Sequence, residues 1–513
     1  MQQNEEALEF LKIKNEFQLG SLPTESPNPR TIGLSNLVET NLKQAVDTLL
    51  EIDRDVFRLV REKQNEIFQL KNKINEVLKS DGKIYLVGCG ATGRLSLALE
   101  TLWRIKFANR TDLKEKVVSF MAGGDVALIH SVEKFEDFPE FGVRQMMELN
   151  FSANDLLIAT TEGGETPFVI GATNKAAEYS KHHPYFLYCN PDDILKKTTK
   201  RSREVIENNN IEKINLTVGP MALTGSTRMQ ATTILMYVVG LALLNYDQAD
   251  EVISLEVDRM IDYVENLNLN FLAAFIEEEA RIYKNQEYVL YETDGDLGIS
   301  ILTDTTERSP TFSLYPFENQ LDQIKNPFLA YLYFPHSPNA SAAWLDLLKR
   351  TPRAFHWQEV TDRTSIERLV GFNFSSELLF QRKTYLAKNQ HFFKIYFDEN
   401  KNSIKLQLNH LQQELFLNEL SFLSAHLVLK IILNNHSTLL MGKLHRYQSN
   451  LMTWVRASNF KLIDRSVRYA KILLQEKGID TSYDDLVFAC FKYKDQIDRD
   501  RPLVLKIVEE FTR

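Results

Sequence analysis

A glycine-rich turn near residue 90 has the composition of an anion-binding loop. The apolar segment Ile84–Val87 runs into the turn 88–94, whose sequence is GCGATGR, and a helical pattern follows. Glycines permit a tight turn and a close approach of backbone N–H groups, and the start of a helix adds the positive end of its dipole. Phosphate is the most common ligand of such a turn. The predicted ligands of the anion are Gly90, Ala91, Thr92 and Gly93.

The same turn could also begin a dinucleotide site. Such a site needs an acidic residue about 20 positions further on, at the end of the second strand. Here the second strand is followed by Asp125, which lies too far along the chain. The turn alone therefore leaves a sugar phosphate, a dinucleotide and a simple packing turn open.

A second turn, residues 161–167 with the sequence TEGGETP, follows the third predicted strand. Its hydroxyls and backbone amides could close around the same anion, and Pro167 fits the first position of a helix. Threonine, glycine and proline also suit ordinary turns and helix caps. The candidate ligands in this turn are Thr161, Glu162, Gly163, Glu165 and Thr166.

Both turns are predicted to lie at one edge of a parallel β-sheet. Continuous apolar strands separated by helices are typical of a parallel sheet covered on both faces, and right-handed crossovers place the loops after the strands at one edge. Ligands of open α/β sheets bind at that edge. The predicted strands are 84–87, 117–120, 156–160, 185–189 and 214–218. The predicted helices are two within 36–79, one from the first turn to about 107, then 141–149, 167–179 and 224–244.

The order of elements then repeats. A helical pattern over 252–285 precedes a strand at 288–291, a turn and a helix at 298–306. Two passages of helix, strand, turn and helix about 200 residues apart indicate an internal duplication. Further predicted elements are strands at 312–315, 328–334, 355–360 and 392–397 and a helix at 411–433. The predicted organisation is an arm over 1–45, α/β domains over 46–250 and 251–435, and a helical cap over 436–513.

The composition limits the classes of partner and compartment. The chain has 513 residues, a net charge of −9 and three scattered cysteines. No basic excess is present to hold nucleic acid, and no apolar run of about 18 residues predicts a membrane span. The N-terminal segment lacks the features of a signal peptide, and isolated cysteines are typical of a reducing compartment. We expect a cytoplasmic protein without a metal site or a cofactor.

Several segments together resemble one family of proteins. In the first half they are LPTESPNP (22–29), GCGATGR (88–94), AGGD (122–125) with VEKFED (132–137), TEGGETP (161–167), and VGP (218–220) with TGSTRM (224–229). Thinner matches follow at GISILTDTTE (298–307), PTF (310–312) and GK (442–443). The set resembles the N-acetylmuramic acid 6-phosphate etherases and their two-domain relative, glucokinase regulatory protein. The resemblance implies an α/β fold with two fused sugar isomerase (SIS) type domains, each a flavodoxin-like parallel sheet with helices on both faces, plus an α-helical C-terminal cap.

The resemblance also implies a reaction. The etherase removes lactate from C3 of an open-chain amino-sugar phosphate. A base takes the C2 proton, which is acidic because C1 is a carbonyl, and an acid protonates the departing ether oxygen. Two carboxyl groups in different protonation states suit this work. By motif position, Glu136 matches the base and Glu307 matches the acid, and Lys443 could reach the phosphate from the cap.

Losses in the two halves are complementary. Nine residues after Gly93 the first half has Leu102, whereas nine residues after Gly298 the second half has Glu307. The turn of the second half carries three carboxylates, which would repel a phosphate: Glu292, Asp294 and Asp296. The first half thus keeps the phosphate turn and the second keeps the acid. This division predicts one composite site between the halves.

Some positions depart from the family pattern and keep other functions open. A hydroxyl of the family's first turn is replaced by Ala91, and one of its second turn by Gly163, while Glu162 adds a charge. One alternative is a non-catalytic sensor that binds a sugar phosphate and reports to a protein partner such as a sugar kinase, as glucokinase regulatory protein does. A phosphosugar aldose–ketose isomerase is a weaker alternative, because the fold supports it but the motifs point elsewhere.

Overall fold

Two five-stranded sheets flanked by helices form the protein, as seen in a computed structural model. The structure describes residues 2–130, 132, 135–457, 459–496 and 502–512. Residues 133 and 134 of the VEKFED segment lie outside these ranges. Among the described helices, none is both long enough and apolar enough to cross a membrane.

The first sheet has the strand order β2-β1-β3-β4-β5, and all of its strands are parallel. The strands are β1 Ile84–Gly88, β2 Val117–Met121, β3 Leu156–Thr160, β4 Tyr185–Tyr188 and β5 Glu212–Asn215. The first three are buried at every residue, as their continuous apolar sequences require of strands covered on both faces. This order is the flavodoxin-like one.

The helices of the first half pack on that sheet and on other helices of the chain. They are α1 Gln2–Ile13, α2 Leu34–Thr40, α3 Leu42–Glu62, α4 Gln64–Lys79, α5 Ala91–Lys106, α6 Thr111–Lys114, α7 Pro139–Glu148, α8 Pro167–Tyr179, α9 Asp192–Thr198, α10 Lys200–Glu207 and α11 Gln230–Leu244. Helix α11 is apolar around its whole circumference and every residue of it is buried, as expected of a helix in the centre of a protein. It begins six residues later than predicted, so the TGSTRM segment is a turn.

The second sheet repeats the order of the first. Its strands are β6 Tyr288–Glu292, β7 Ala330–Tyr333, β8 Gln390–Asp398, β9 Ser403–Leu408 and β10 Leu411–Phe416. Numbered within the sheet, their order is again second, first, third, fourth, fifth. Strands β6, β7 and β8 are parallel, whereas β9 and β10 form an antiparallel hairpin. The shared order supports the predicted duplication, and the predicted α/β fold is confirmed, with the parallel arrangement of the second sheet confined to three strands.

The remaining helices pack around the second sheet and form the C-terminal region. They are α12 Asp250–Asn266, α13 Leu272–Lys284, α14 Gly298–Phe312, α15 Ala340–Leu348, α16 Thr361–Thr364, α17 Ile366–Val370, α18 Leu378–Lys383, α19 Phe422–Lys443, α20 Phe460–Glu476, α21 Tyr483–Tyr493 and α22 Leu503–Thr512. Helix α19 runs across the predicted domain boundary at residue 435.

Three predicted elements of the second half are wrong. Residues 312–315 are the end of helix α14 and a loop, and residues 355–360 form no strand. The apolar side chains of the latter segment pack between the halves, where Trp357 stacks on Phe135 at a ring distance of 5.3 Å. The predicted helix 411–433 begins only at Phe422, because residues 411–416 pair with β9.

Two arginines from the second half, Arg350 and Arg353, pair with buried carboxylates of the first half. Arg350 lies 3.1 Å from Glu100 and 2.6 Å from Asp125, and Arg353 lies 2.8 Å from Glu100. Burial alone would raise the pKa of Glu100, but these arginines and Arg104 outweigh it and lower the pKa to about 2. The ion pairs hold the second half against helix α5.

This cluster predicts that acid destabilises the folded protein. A carboxyl with a lower pKa in the folded than in the unfolded chain contributes stability that is complete above the unfolded pKa and is lost as the pH falls to the folded pKa. For Glu100 this window runs from about 4.5 down to about 2. We expect the free energy of unfolding, measured by urea titration, to decrease across the window. The Glu100→Gln variant should show a shallower decrease, and an unchanged slope would contradict the prediction.

Candidate functional site

The two predicted turns lie side by side. Strand β1 pairs in parallel with β3, so the turn after each strand emerges at the same edge of the sheet. In a sheet of this order the chain reverses its direction of winding between β1 and β3, and ligands bind at that point. The fold therefore places residues 88–94 and 161–167 where a ligand is expected.

The first turn exposes backbone amides to a cavity. Gly90 has a φ of +54°, and a Cβ at Gly93 would lie 2.5 Å from the Cβ of Met121, so the turn requires glycine at both positions. The amides of Thr92 and Arg94 bond to carbonyls within the turn. In the described part of the chain, the amides of Gly90, Ala91 and Gly93 have no acceptor, as is usual in the first turn of a helix. The Thr92 hydroxyl bonds back to Cys89.

A cavity of about 200 Å³ opens beside this turn, and both predicted catalytic carboxylates line it. Glu136 comes from the first half and Glu307 from the second. The other lining residues come from the first turn, the end of β2 with the segment 122–132 after it, the TGSTRM segment, the end of α14 and the C-terminal region. Among them are Cys89, Gly90, Ala91, Arg94, Ser226, Arg228, Thr311, Met452, Asn459 and Arg465.

Glu307 is joined to the first turn by an ion pair. Helix α14 packs against helix α5, and the Glu307 carboxylate lies 2.5 Å from the Arg94 guanidinium. Arg94 also donates to the carbonyls of Ala127 and Leu128, each at 3.1 Å. These bonds fix the guanidinium between the turn and the second half, so the acid of one half meets the anion turn of the other.

Glu136 is held by two neutral donors. It lies in a short 3-10 helix, Phe135–Asp137, and its carboxylate accepts from the Cys89 thiol at 3.0 Å and from the side-chain amide of Asn459. Burial, followed by the nearby Glu136 charge, raises the pKa of the Cys89 thiol, so the thiol keeps its proton. The neighbouring Asp137 has its pKa raised to about 7, mainly by burial.

The second turn is packed behind other groups. Thr161 and Thr166 bond to each other through their hydroxyls at 3.0 Å, and the carbonyl of Gly163 accepts from Asn190. Glu165 forms ion pairs with Arg201 at 3.0 Å and with Lys461 at 2.9 Å. Among the described residues that line the cavity, none comes from this turn. The five predicted ligands in this turn therefore do not line the cavity.

Glu162 is the member of this turn nearest to the ligand space. It accepts from Thr232 at 3.1 Å, and Thr232 lines a smaller cavity that adjoins the first. Burial raises the pKa of Glu162 to about 7. Because the carboxyl is partly protonated near neutral pH, it repels a phosphate less than a full charge would. The two cavities share Ala91, Arg94, Arg228 and Glu307.

Two residues that line the cavity, Ser226 and Arg228, carry buried polar atoms without partners. In the described part of the chain, the hydroxyl of Ser226 and the Nε of Arg228 have no hydrogen-bond partner although both side chains are at least nine-tenths buried. Buried polar groups are normally satisfied, so both groups can accept a further partner. The rest of the Arg228 guanidinium is fixed by Asp304 at 3.0 Å and by Thr438 at 2.8 Å. Both residues lie in the TGSTRM motif, but no role was predicted for either of them from the sequence.

The cations of the C-terminal region come from helix α20 and not from Lys443. Lys443 pairs with Glu39 at 3.5 Å and is absent from the described lining of the cavity. Arg465 of helix α20 does line it, and Lys461 pairs with Glu165 beside it. Burial opposes the charge of Lys461, but nearby carboxylates, chiefly those of Glu165 and Glu25, outweigh it and raise its pKa.

Glu25 of the N-terminal arm holds helix α20 in place. It is buried and bonds Arg465 through two nitrogens, at 2.6 and 3.0 Å, and Arg468 at 2.9 Å. Burial alone would raise the pKa of Glu25, but the two arginines outweigh it and lower the pKa to about 2. The arm, whose Asn28 also donates to the carbonyl of Pro220, thus connects the C-terminal region to the first half.

The two lysines give a matched test of this arrangement. We expect Lys461→Met to weaken the binding of a sugar 6-phosphate about tenfold or more. The substitution removes a cation that offsets the negative charges of Glu165, Glu25 and Glu136. Lys443→Met should leave the affinity within about twofold, because its charge is paired outside the cavity. Isothermal titration calorimetry with N-acetylglucosamine 6-phosphate measures both. Equal losses in the two variants would contradict the geometry.

No group of three or more His, Cys, Asp or Glu side chains in the described part of the chain is placed to hold a metal ion. The polar groups that line the cavity are carboxylates, guanidinium groups, hydroxyls, backbone amides, the Cys89 thiol and the Asn459 side-chain amide. This set can bind an anion and can move protons between two carboxyl groups.

Comparisons with known proteins agree with this architecture. The family model for the N-terminal SIS domain of glucokinase regulatory protein matches residues 69–177. The N-acetylmuramic acid 6-phosphate etherase of Rhodopirellula baltica is 29% identical over 297 residues, which are 57% of this chain and 91% of that protein. The etherase of Enterobacter sp. strain 638 is 31% identical over 220 residues, which are 42% of this chain and 67% of that protein. The etherase of Yersinia pestis strain Pestoides F is 30% identical over 217 residues, with 42% and 68% covered.

One solved structure that resembles this chain is the C-terminal domain of glucosamine-fructose-6-phosphate aminotransferase from Francisella tularensis. It is 13% identical, with a TM-score of 0.37, and the match covers 76% of this chain and 94% of that one. A hypothetical protein of Thermus thermophilus is 9% identical, with a TM-score of 0.38 and coverage of 88% and 99%.

The fold and the sequence matches define this chain as a protein with a SIS domain in its first half. It belongs to the SIS-domain family, in the branch that contains the N-acetylmuramic acid 6-phosphate etherases and glucokinase regulatory protein.

Proposed function

We propose that the chain binds an amino-sugar 6-phosphate between its two halves and eliminates lactate from the C3 ether of that sugar. The observation that carries this proposal is the position of Glu136 and Glu307, which come from different halves and line one cavity beside the 88–94 turn. The etherase names of the relatives in this branch support the same reaction.

The phosphate is assigned to the first turn. The amides of Gly90, Ala91 and Gly93 begin helix α5, which favours an anion there. Arg94, Arg228 and Arg465 line the cavity and supply positive charge, and the unpartnered hydroxyl of Ser226 can donate to a phosphate oxygen. The turn of the second half has Glu292, Asp294 and Asp296 in the equivalent place and cannot serve this role.

The two carboxylates are assigned different tasks. Glu136 removes the proton from C2, a C2=C3 double bond forms, and the C3–O bond breaks. Glu307 supplies a proton to the departing oxygen, which leaves as the hydroxyl of lactate. Arg94 pairs with Glu307 at 2.5 Å and also lies at the turn assigned to the phosphate, so a bound phosphate competes with Glu307 for this guanidinium.

The reaction is tested by incubating the protein with N-acetylmuramic acid 6-phosphate and measuring released lactate. We expect lactate in proportion to enzyme and time. Folded protein that releases no lactate above background would overturn the proposal. All three cysteines, Cys89, Cys189 and Cys490, are free, which fits the cytoplasmic location that we include in the proposal.

The Arg94–Glu307 ion pair and the Glu162 carboxyl favour a second candidate, a non-catalytic sensor. If the ion pair persists with ligand bound, the site binds a sugar phosphate without an available acid. Such a protein would report the bound sugar to a protein partner such as a sugar kinase. A rise in melting temperature with sugar 6-phosphates, in protein that releases no lactate, would select this candidate.

A further inference from the structure

We propose that Asn459, at the start of helix α20, is a positioning residue that aims the Glu136 carboxylate at the substrate. This inference rests on the proposed function, because it assigns Glu136 the role of base. It concerns a residue that no motif of the sequence singled out. The contact joins positions 323 residues apart in the chain.

Each oxygen of the Glu136 carboxylate has its own donor. The Cys89 thiol, in the anion turn, donates to Oε2 at 3.0 Å, and the Asn459 Nδ2 donates to Oε1. All three side chains line the same cavity. The carboxylate is therefore oriented from one side by the turn that is assigned the phosphate and from the other by the C-terminal region.

The orientation of the Asn459 amide follows from its second hydrogen bond. Its Oδ1 accepts from the backbone N–H of Leu462 at 2.9 Å and so caps helix α20. A side-chain amide has one acceptor oxygen and one donor nitrogen. Because the oxygen is used by the cap, the nitrogen must face Glu136, and the choice between the two amide orientations is settled by the hydrogen-bond pattern.

Helix α20 is itself fixed at the positions that follow. Lys461 pairs with Glu165 at 2.9 Å, and Arg465 pairs with Glu25 at 2.6 Å. Three contacts near the start of this helix thus join it to three carboxylates, those of Glu136, Glu165 and Glu25. Because the Asn459 amide cannot rotate without losing its bond to the start of the helix, its Nδ2 holds the Glu136 carboxylate in a fixed position relative to helix α20.

A base must meet the proton that it removes at hydrogen-bond distance, and a displacement of about 1 Å can cost about 100-fold in rate. Among the described residues, loss of the Asn459 donor leaves Glu136 with the Cys89 thiol as its donor and frees the carboxylate to rotate. The phosphate contacts are untouched. The expected signature is a lower kcat at a nearly unchanged KM.

The variant that isolates this role is Asn459→Asp. Aspartate keeps an oxygen that caps the helix, but it replaces the donor by a second negative charge beside Glu136. We expect kcat for lactate release to fall about 10- to 100-fold with KM within about threefold. The acidic limb of the pH–rate profile should move to higher pH, because a like charge opposes ionisation of the base.

Asn339→Asp is the matched control. Asn339 caps helix α15 through the same type of bond, to the N–H of Ala342 at 3.0 Å, on an exposed surface. This variant should keep the wild-type rate and pH profile. A wild-type kcat and pH profile in Asn459→Asp, or an equal loss of rate in Asn339→Asp, would overturn the inference.

Melting temperatures test the contact without turnover. The loss of melting temperature caused by Asn459→Asp should be smaller in a Glu136→Gln background than in the wild type, because the repulsion is then absent. An equal loss in both backgrounds would overturn the inference. This comparison also separates the two proposals: wild-type protein without lactate release fails the proposed function, whereas a loss independent of background fails the positioning role.

Discussion

Replacing Glu307 by Gln is expected to slow lactate release at least about 100-fold, and Glu136→Gln is expected to have an effect of similar size. A positioned acid or base contributes about 10²- to 10⁴-fold to a rate. Glutamine keeps the shape of the side chain and can still accept from Arg94 at position 307, so the geometry should survive while the transferable proton is lost. A coupled assay for lactate with N-acetylmuramic acid 6-phosphate measures both rates.

The control for these two variants is Glu140→Gln. Glu140 is exposed on helix α7, four residues after Glu136. The Glu140→Gln protein should therefore release lactate at the wild-type rate. Calorimetry should show that Glu136→Gln and Glu307→Gln bind sugar 6-phosphate within a few-fold of wild type. A wild-type rate in either variant would remove that carboxyl from the mechanism.

Glu25→Ala is expected to lower the free energy of unfolding by about 3–5 kcal/mol, the usual result of removing one partner from a buried ion pair. Glu25 is almost fully buried and pairs with Arg465 and Arg468, so its loss leaves the buried Arg465 without this carboxylate and leaves Arg468 with Asp464. Urea titration at neutral pH measures the change.

The exposed Glu140 again provides the comparison, since Glu140→Ala should change the free energy of unfolding by less than about 0.5 kcal/mol. Helix α20 carries Arg465 into the cavity, so Glu25→Ala should also weaken sugar-phosphate binding. A Glu25→Ala protein as stable as Glu140→Ala would show that the arm does not hold this helix.

The first half of the fold was predictable because its strands leave a clear signal. Strands β1, β2 and β3 are buried on both faces and read as continuous apolar runs between helices. The second half gives weaker signals. Phe355 and Trp357 form an apolar run without a strand because their rings pack on Phe135 between the halves.

The hairpin of β9 and β10 was missed for a different reason. Strand β10 has no fully buried residue, so its polar sequence at 412–414 lacks the alternation that marks a half-buried strand. Its pairing with β9 depends on the turn between them, where Asn409 adopts a positive φ of 53°. The prediction of a helix there extended the strong pattern of α19 too far towards the N-terminus.

The candidate site likewise contains some residues that were predictable from the sequence and others that were not. The turn and the two carboxylates lie within motifs, and the structure brings Glu136 and Glu307 to one cavity. Asn459 and Arg465 were not predicted, because their partners Glu136 and Glu25 lie 323 and 440 residues away in the chain and no local pattern reports such contacts. Lys443 was predicted from its motif position to reach the phosphate from the C-terminal cap, but in the structure it pairs with Glu39.

The central claim is that one sugar phosphate lies between the two halves, with its phosphate on the 88–94 turn and its reacting carbons between the two carboxylates. A crystal structure of the protein with N-acetylglucosamine 6-phosphate, which lacks the lactyl ether and cannot eliminate lactate, tests it most directly. We predict phosphate oxygens within hydrogen-bond distance of the amides of Gly90, Ala91 and Gly93, and C2 and C3 facing Glu136 and Glu307. A ligand bound at the edge of the second sheet, or with its phosphate away from this turn, would contradict the account.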